Sequence, residues 1–98
     1  MNQYAELKRS VLSKPTSEMK GKVVRRIRRD IMKDNPRIIM KYMNVGIKDG
    51  KIFVIIETDY INAVAIKKVL HHHKMLSSFD VLFKKDATFP EVDNNTNI

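Results

Sequence analysis

Residues 43–56 read MNVGIKDGKIFVII, and this stretch decides the fold. Two apolar runs flank the pair Asp49-Gly50, which is a strong signal for a β-hairpin because a type I′ turn needs positive φ at both central residues. Folding the chain about this pair brings apolar side chains opposite one another on one face: Ile47 with Ile52, Val45 with Val54, and Met43 with Ile56. The sequence therefore predicts a hairpin over about residues 37–57 with one face in the core.

The opposite face of the predicted hairpin is mixed in character. It carries Tyr42, Phe53 and Ile55 among polar neighbours, whereas a face in contact with water is mainly polar. Two interpretations remain open. Residues 1–14 or the edge of another helix could pack over this face, or its three side chains could form a surface for a protein partner or for a second copy of the chain in a homodimer.

Helical periodicity precedes the hairpin. Residues 3–13 have the spacing of a short amphipathic helix, which ends at Lys14-Pro15 because proline forces the residue before it out of the helical region. A second helix is predicted over about residues 17–33 and ends at Asp34-Asn35-Pro36. Its apolar stripe is expected to be buried and consists of Met19, Val23, Val24, Ile27 and Ile31.

A helix and a strand are predicted after the hairpin. Asp59 is a typical N-cap for a helix over about residues 59–76. The predicted buried stripe of this helix consists of Ile61, Ala65, Ile66, Val69 and Leu76. Residues 79–84 alternate between apolar and polar side chains, which indicates a closing strand. Residues 86–98 contain little to bury and are predicted to be a disordered C-terminal tail.

The order helix, helix, strand, strand, helix, strand predicts a single α+β domain over residues 1–85, in which helices pack on a small three-stranded sheet. Residues 17–84 resemble in outline the type II KH arrangement, which is shared by small ribosome-maturation factors and by the N-terminal domains of bacterial replication initiators. KH domains hold nucleic acid with a GxxG loop, and Gly21, Gly46 and Gly50 do not form one. The resemblance therefore implies a fold and carries over no binding residues.

The positive charge of the chain is concentrated in one segment. The 98 residues contain 19 Lys and Arg against 11 Asp and Glu, which gives a net charge of +8. Residues 8–33 account for the whole excess, because only Glu18 and Asp30 offset the cations there. Most of these cations belong to the predicted second helix: Lys20, Lys22, Arg25, Arg26, Arg28, Arg29 and Lys33.

This helix is a candidate phosphate-binding element. A guanidinium group is a planar fork that donates two parallel hydrogen bonds to a phosphate, and it stays charged at every working pH. Like charges three and four residues apart repel one another, so such a helix favours an anionic partner. We therefore expect a non-enzymatic module that binds DNA or RNA, mainly through backbone contacts, because few aromatic residues are available to stack on bases.

A second function from a different class stays open. The chain could be a small protein-interaction adaptor or inhibitor, similar to phage regulatory proteins. Such a protein would dock on an acidic partner through the hairpin face and the basic helix, and its charge would steer the encounter.

Several other classes are excluded by residue content. Without cysteine there is neither a disulfide framework nor a thiolate metal site. The longest apolar run, Ile52 to Ile56, is too short to cross a bilayer. His71-His72-His73 point in different directions on a helix, so they cannot share a metal ion. The sequence contains no nucleophile elbow, phosphate loop or paired acids, so we expect no catalytic activity, cofactor or metal. We expect the protein to be cytoplasmic or associated with the nucleoid.

Overall fold

A computed structural model describes residues 3–84, which form an α+β fold. The α+β class and the order of the elements predicted from the sequence are confirmed, whereas the predicted tail over residues 86–98 lies outside the described part of the chain. The helices are α1 (Gln3–Ser13), α2 (Ser17–Asp34) and α3 (Tyr60–His72), and the strands are β1 (Tyr42–Lys48), β2 (Lys51–Glu57) and β3 (Asp80–Lys84). A short 3₁₀ turn, Met75–Ser77, connects α3 to β3.

The three strands form one mixed sheet in the order β1-β2-β3. β1 and β2 are antiparallel, in the register predicted from the sequence, and the turn between them has positive φ at Asp49 (53°) and Gly50 (74°). β3 runs parallel to β2 on its other side. Val81 and Phe83 of β3 lie beside Val54 and Ile56 of β2 and so extend the core face.

All three helices contribute to one core on one face of the sheet. Val11 of α1, Ile27 of α2 and Ile66 of α3 are fully buried in the same cluster as Val54 and Ile56 of β2. The N-terminal helix therefore packs on the core face, and the interpretation that it covers Tyr42, Phe53 and Ile55 is wrong for residues 3–13.

The first strand begins later than the sequence predicts, at Tyr42 instead of residue 37. Residues 35–41 form a turn and a loop. The Thr58 hydroxyl donates a 2.6 Å hydrogen bond to the Ile39 carbonyl, and only from the Lys41 amide onward does the backbone pair with β2. The apolar residues 38–40 resemble a strand in sequence, but in this loop Ile38 is buried and Met40 packs partly against the core, whereas Ile39 is 63% exposed.

The third helix is shorter than predicted, and one residue of its predicted buried stripe is exposed, whereas Ala65, Ile66, Val69 and Leu76 are buried or packed against the core. It ends at His72 because Lys74 takes the left-handed conformation, with φ of 60°. Ile61 was expected on the buried side, yet it is 79% exposed. Ile61 and Ile66 are five positions apart, which at about 100° per residue separates them by about 140° around the helix. Of these two residues, Ile66 faces the core and Ile61 faces solvent.

Candidate nucleic-acid interface

Helix α2 is fixed in its rotation by its buried stripe. The Thr16 hydroxyl caps its first turn by accepting a 3.1 Å hydrogen bond from the Met19 amide. Val23, Ile27 and Ile31 are fully buried against the sheet and the other helices. Because one side of α2 is held in the core, its cationic side chains are distributed over the two flanks and the outer face.

A groove runs between α1 and α2. It is open to solvent and has a volume of about 770 Å³. We call it the basic groove, and its α2 wall consists of Lys22, Arg25, Arg26 and Arg29, whereas its α1 wall consists of Gln3, Glu6, Leu7 and Ser10.

Three of the cations on the α2 wall form a row. Lys22, Arg25 and Arg29 are all exposed and are spaced three and four residues apart, so they share one face of the helix. Within residues 3–84 none of them forms an ion pair with an acid. The row therefore places unneutralised positive charge along the groove.

Gly21 provides room for this row. A Cβ atom at position 21 would lie 3.3 Å from the Nη1 atom of Arg25, whose side chain leans back over the preceding turn. The sequence shows Gly21 only as a weak helix former near the start of α2. In the structure its missing side chain lets the Arg25 guanidinium lie close to the helix.

Arg26 has a different role from its neighbours. Its Nε donates to Oδ2 of Asp30 at 3.2 Å, and its guanidinium carbon lies 5.7 Å from the ring centroid of Tyr4. The Tyr4 hydroxyl donates to the same Asp30 oxygen. Arg26 borders the groove, but it also joins α1 to α2 through this buried network.

The network shifts the pKa of both acidic groups in it. Burial acts to raise the pKa of Asp30, but hydrogen bonds from Tyr4 and Arg26, together with the positive charge of Arg26, leave it below its ordinary value. Burial raises the pKa of Tyr4, and the Asp30 carboxylate raises it further. Asp30 is therefore ionised and Tyr4 is protonated at neutral pH.

The remaining predicted cations lie elsewhere on α2. Lys20 is nine positions before Arg29, which places it on the opposite side of the helix axis from Arg29. Both Lys20 and Arg28 are half-buried, and neither lines the groove. Lys33 follows Lys22 by about three full turns and is exposed on the same side, although it does not line the groove. The structure thus brings together only part of the predicted set.

The polar wall of α1 was missed from the sequence. Gln3, Glu6 and Ser10 are exposed and share the face of α1 that looks across the groove. Their spacing of three and four residues is visible in the sequence, but periodicity does not show which neighbouring element a polar face will meet. That depends on the contact between Tyr4 and Asp30, which are 26 positions apart.

The predicted partner surface is also a real grouping in space. Phe53 and Ile55 are half-buried, and Tyr42 is 50% exposed. Leu82 of β3 lies beside Ile55 in the register of the sheet. We call these four residues the open sheet face, because α1, α2 and α3 all pack on the other side.

Comparisons with protein-family models, with curated proteins and with solved structures find no match for this chain. The resemblance to the type II KH arrangement therefore stays a prediction that rests on the order of the elements. Within residues 3–84, no helix is both long enough and apolar enough to span a bilayer, and no three His, Asp or Glu side chains converge as metal ligands.

Proposed function

We propose that this protein is a small, non-enzymatic nucleic-acid-binding module that holds phosphate groups in the basic groove. The observation that carries the proposal is the row of Lys22, Arg25 and Arg29, which lines an open groove without an acidic partner in residues 3–84. Placing like charges together is unfavourable unless an anion neutralises them. A nucleic-acid backbone supplies regularly spaced anions, and we expect the protein to meet it in the cytoplasm or on the nucleoid.

The rigid mounting of α2 supports the same function. The helix is held by its core stripe and by the network of Tyr4, Arg26 and Asp30, so the backbone that carries the row does not have to be ordered upon binding. A backbone that is already ordered reduces the entropy lost on binding to that of the side chains. Contacts of this kind bind the backbone and carry no sequence information by themselves.

Two double variants with the same change in charge test the proposal. Arg25→Gln with Arg29→Gln removes two cations from the groove, whereas Lys20→Gln with Arg28→Gln removes two that lie on α2 outside the groove lining. We expect the groove variant to lose at least about tenfold in affinity for oligonucleotides, measured by fluorescence anisotropy, and the control to lose much less. Equal affinities for the two variants would contradict the proposal.

A protein-interaction role is the second candidate, because none of the helices in residues 3–84 covers the open sheet face. Phe53, Ile55 and Leu82 would bury apolar area against an acidic protein or a second copy of the chain. Replacing Phe53 and Ile55 with Thr would then abolish a dimer seen by sedimentation, or abolish a pull-down partner that survives nuclease treatment. A monomer whose partners all disappear with nuclease would eliminate this candidate.

A further inference from the structure

The two walls of the basic groove differ in chemistry. The α2 wall carries the cationic row, whereas the α1 wall carries an amide, a carboxylate and a hydroxyl at Gln3, Glu6 and Ser10. Cationic groups attract phosphates and a carboxylate repels them, whereas amide, carboxylate and hydroxyl groups can all hydrogen-bond to base edges. A nucleotide placed with its phosphate on α2 would therefore direct its base toward α1.

Glu6 is the most informative residue of the α1 wall. It lies across the groove from Arg25 and Arg29, yet it forms no ion pair with either of them. A carboxylate on this wall weakens the attraction for phosphate, so it is poorly explained as part of a purely electrostatic site. Its two oxygens remain available as acceptors for a ligand in the groove.

The shape of the site favours a single strand. Proteins that read duplex DNA insert a protruding helix or ribbon into a groove of the nucleic acid. Here the cations line a recess in the protein, and single strands are held in such recesses, where their unpaired base edges are accessible. A duplex would present its phosphates to the mouth of the groove and keep its base edges away from α1.

We propose that the basic groove binds a single-stranded segment whose phosphates lie along α2, while Glu6 on α1 accepts a hydrogen bond from the amino group of a cytosine. Adenine and guanine also carry an exocyclic amino group, but cytosine N4 is the donor that Glu and Asp typically contact, whereas adenine typically pairs with Asn or Gln. Gln3 and Ser10 lie one turn to either side of Glu6 and supply further contacts to neighbouring bases. This inference rests on the proposed function, because it assumes that phosphates occupy the cationic row.

The experiment compares oligo-dC with oligo-dT of equal length, since thymine has a carbonyl oxygen where cytosine has the amino group. Affinities are measured for the wild-type chain, for Glu6→Gln, and for the control Asp80→Asn, which removes an exposed carboxylate on β3 outside the groove. We expect the wild-type chain and the control to bind oligo-dC about tenfold more tightly than oligo-dT. Glu6→Gln should lose this preference, because a Gln amide can donate to the thymine O4 as well as accept from the cytosine N4, while its affinity for oligo-dT stays equal or rises.

Three results would overturn the inference. Glu6→Gln could keep the preference for oligo-dC, it could change both affinities by the same factor, or the wild-type chain could bind a duplex more tightly than either single strand. Failure of the proposed function looks different, because the wild-type chain would then bind none of the oligonucleotides, or would bind them as tightly as the Arg25→Gln, Arg29→Gln variant does. Either of these would overturn the inference as well.

Discussion

At the scale of single residues, Asp30 connects α1 to α2. It is 6% exposed and accepts hydrogen bonds from Tyr4 and Arg26. A buried carboxylate is costly unless it is paired and hydrogen-bonded, so both partners are required. In the sequence Asp30 stands out only as one of two acids among the cations of residues 8–33, whereas in the structure it holds together the two walls of the basic groove.

Replacing Asp30 with Asn should therefore destabilise the fold. The variant removes the charge that Tyr4 and Arg26 both contact, and we expect a loss of about 2 kcal/mol in the free energy of unfolding, measured with urea. The control is Asp34→Asn, one turn further along α2, where an exposed carboxylate lies 2.9 Å from Nε2 of His73. Its loss should be below about 1 kcal/mol, and equal losses in the two variants would contradict this role for Asp30.

The tyrosine of the same network predicts a pH dependence. The pKa of Tyr4 is raised above its ordinary value of 10.0, first by burial and then by Asp30. The stability that a raised pKa contributes is fully present while the pH is below the pKa of tyrosine in the unfolded chain. It falls as the pH rises above about 10. The stability difference between the wild-type chain and Tyr4→Phe should therefore shrink from about pH 9 to about pH 11. A constant difference over that range would contradict the assignment.

At the scale of elements, the sequence predicts the structure best where a turn signal and the pattern of apolar residues require the same arrangement. The β-hairpin has its predicted register because the Asp49-Gly50 turn and the alternating apolar residues require the same pairing. Helix α3 shows the opposite case. Its first turn carries Ile61 at a position that the helix turns toward solvent, and Lys74 reverses the chain through a conformation that no local pattern indicates. Apolar content alone does not reveal which side of a short helix is covered.

The glycines of α2 and of the hairpin turn should respond in opposite directions to substitution by alanine. Gly21 is helical and has only the flexible end of Arg25 near its missing side chain, so Gly21→Ala should stabilise the protein by up to about 1 kcal/mol. Gly50 has φ of 74°, so Gly50→Ala should destabilise it by about 1–2 kcal/mol. Thermal unfolding of both variants checks the prediction, which a destabilised Gly21→Ala chain would contradict.

At the scale of the whole molecule, the placement of α1 determines both candidate surfaces. By packing on the core face beside α2, it forms one wall of the basic groove, and no helix among residues 3–84 covers the open sheet face. The sequence shows that residues 3–13 are helical and amphipathic, but it does not show this placement. Tyr4 must reach Asp30 and Phe79, whose ring centroid lies 5.8 Å from that of Tyr4. Contacts across such separations leave no periodic pattern in the chain.

Helices α1, α2 and α3 pack on one face of the sheet, so neighbouring positions of β2 should differ in how well they tolerate a charged side chain. Val54→Lys would bury a charge in the core and should prevent folding, because Val54 is fully buried. Ile55→Lys places the ammonium group on the open sheet face, where it can reach water, and should cost about 1 kcal/mol. Circular dichroism of the two variants makes the comparison. An unfolded Ile55→Lys chain would show that this face is covered after all.

The central claim is that Lys22, Arg25 and Arg29 contact phosphates, and the salt dependence of binding tests it most directly. For a single strand, the slope of log affinity against log salt changes by about 0.7 for each phosphate contact. Replacing all three residues with Gln should therefore reduce the magnitude of the wild-type slope by about 2. Replacing Lys20 and Arg28 should leave it nearly unchanged. A triple variant with the wild-type slope would contradict the claim.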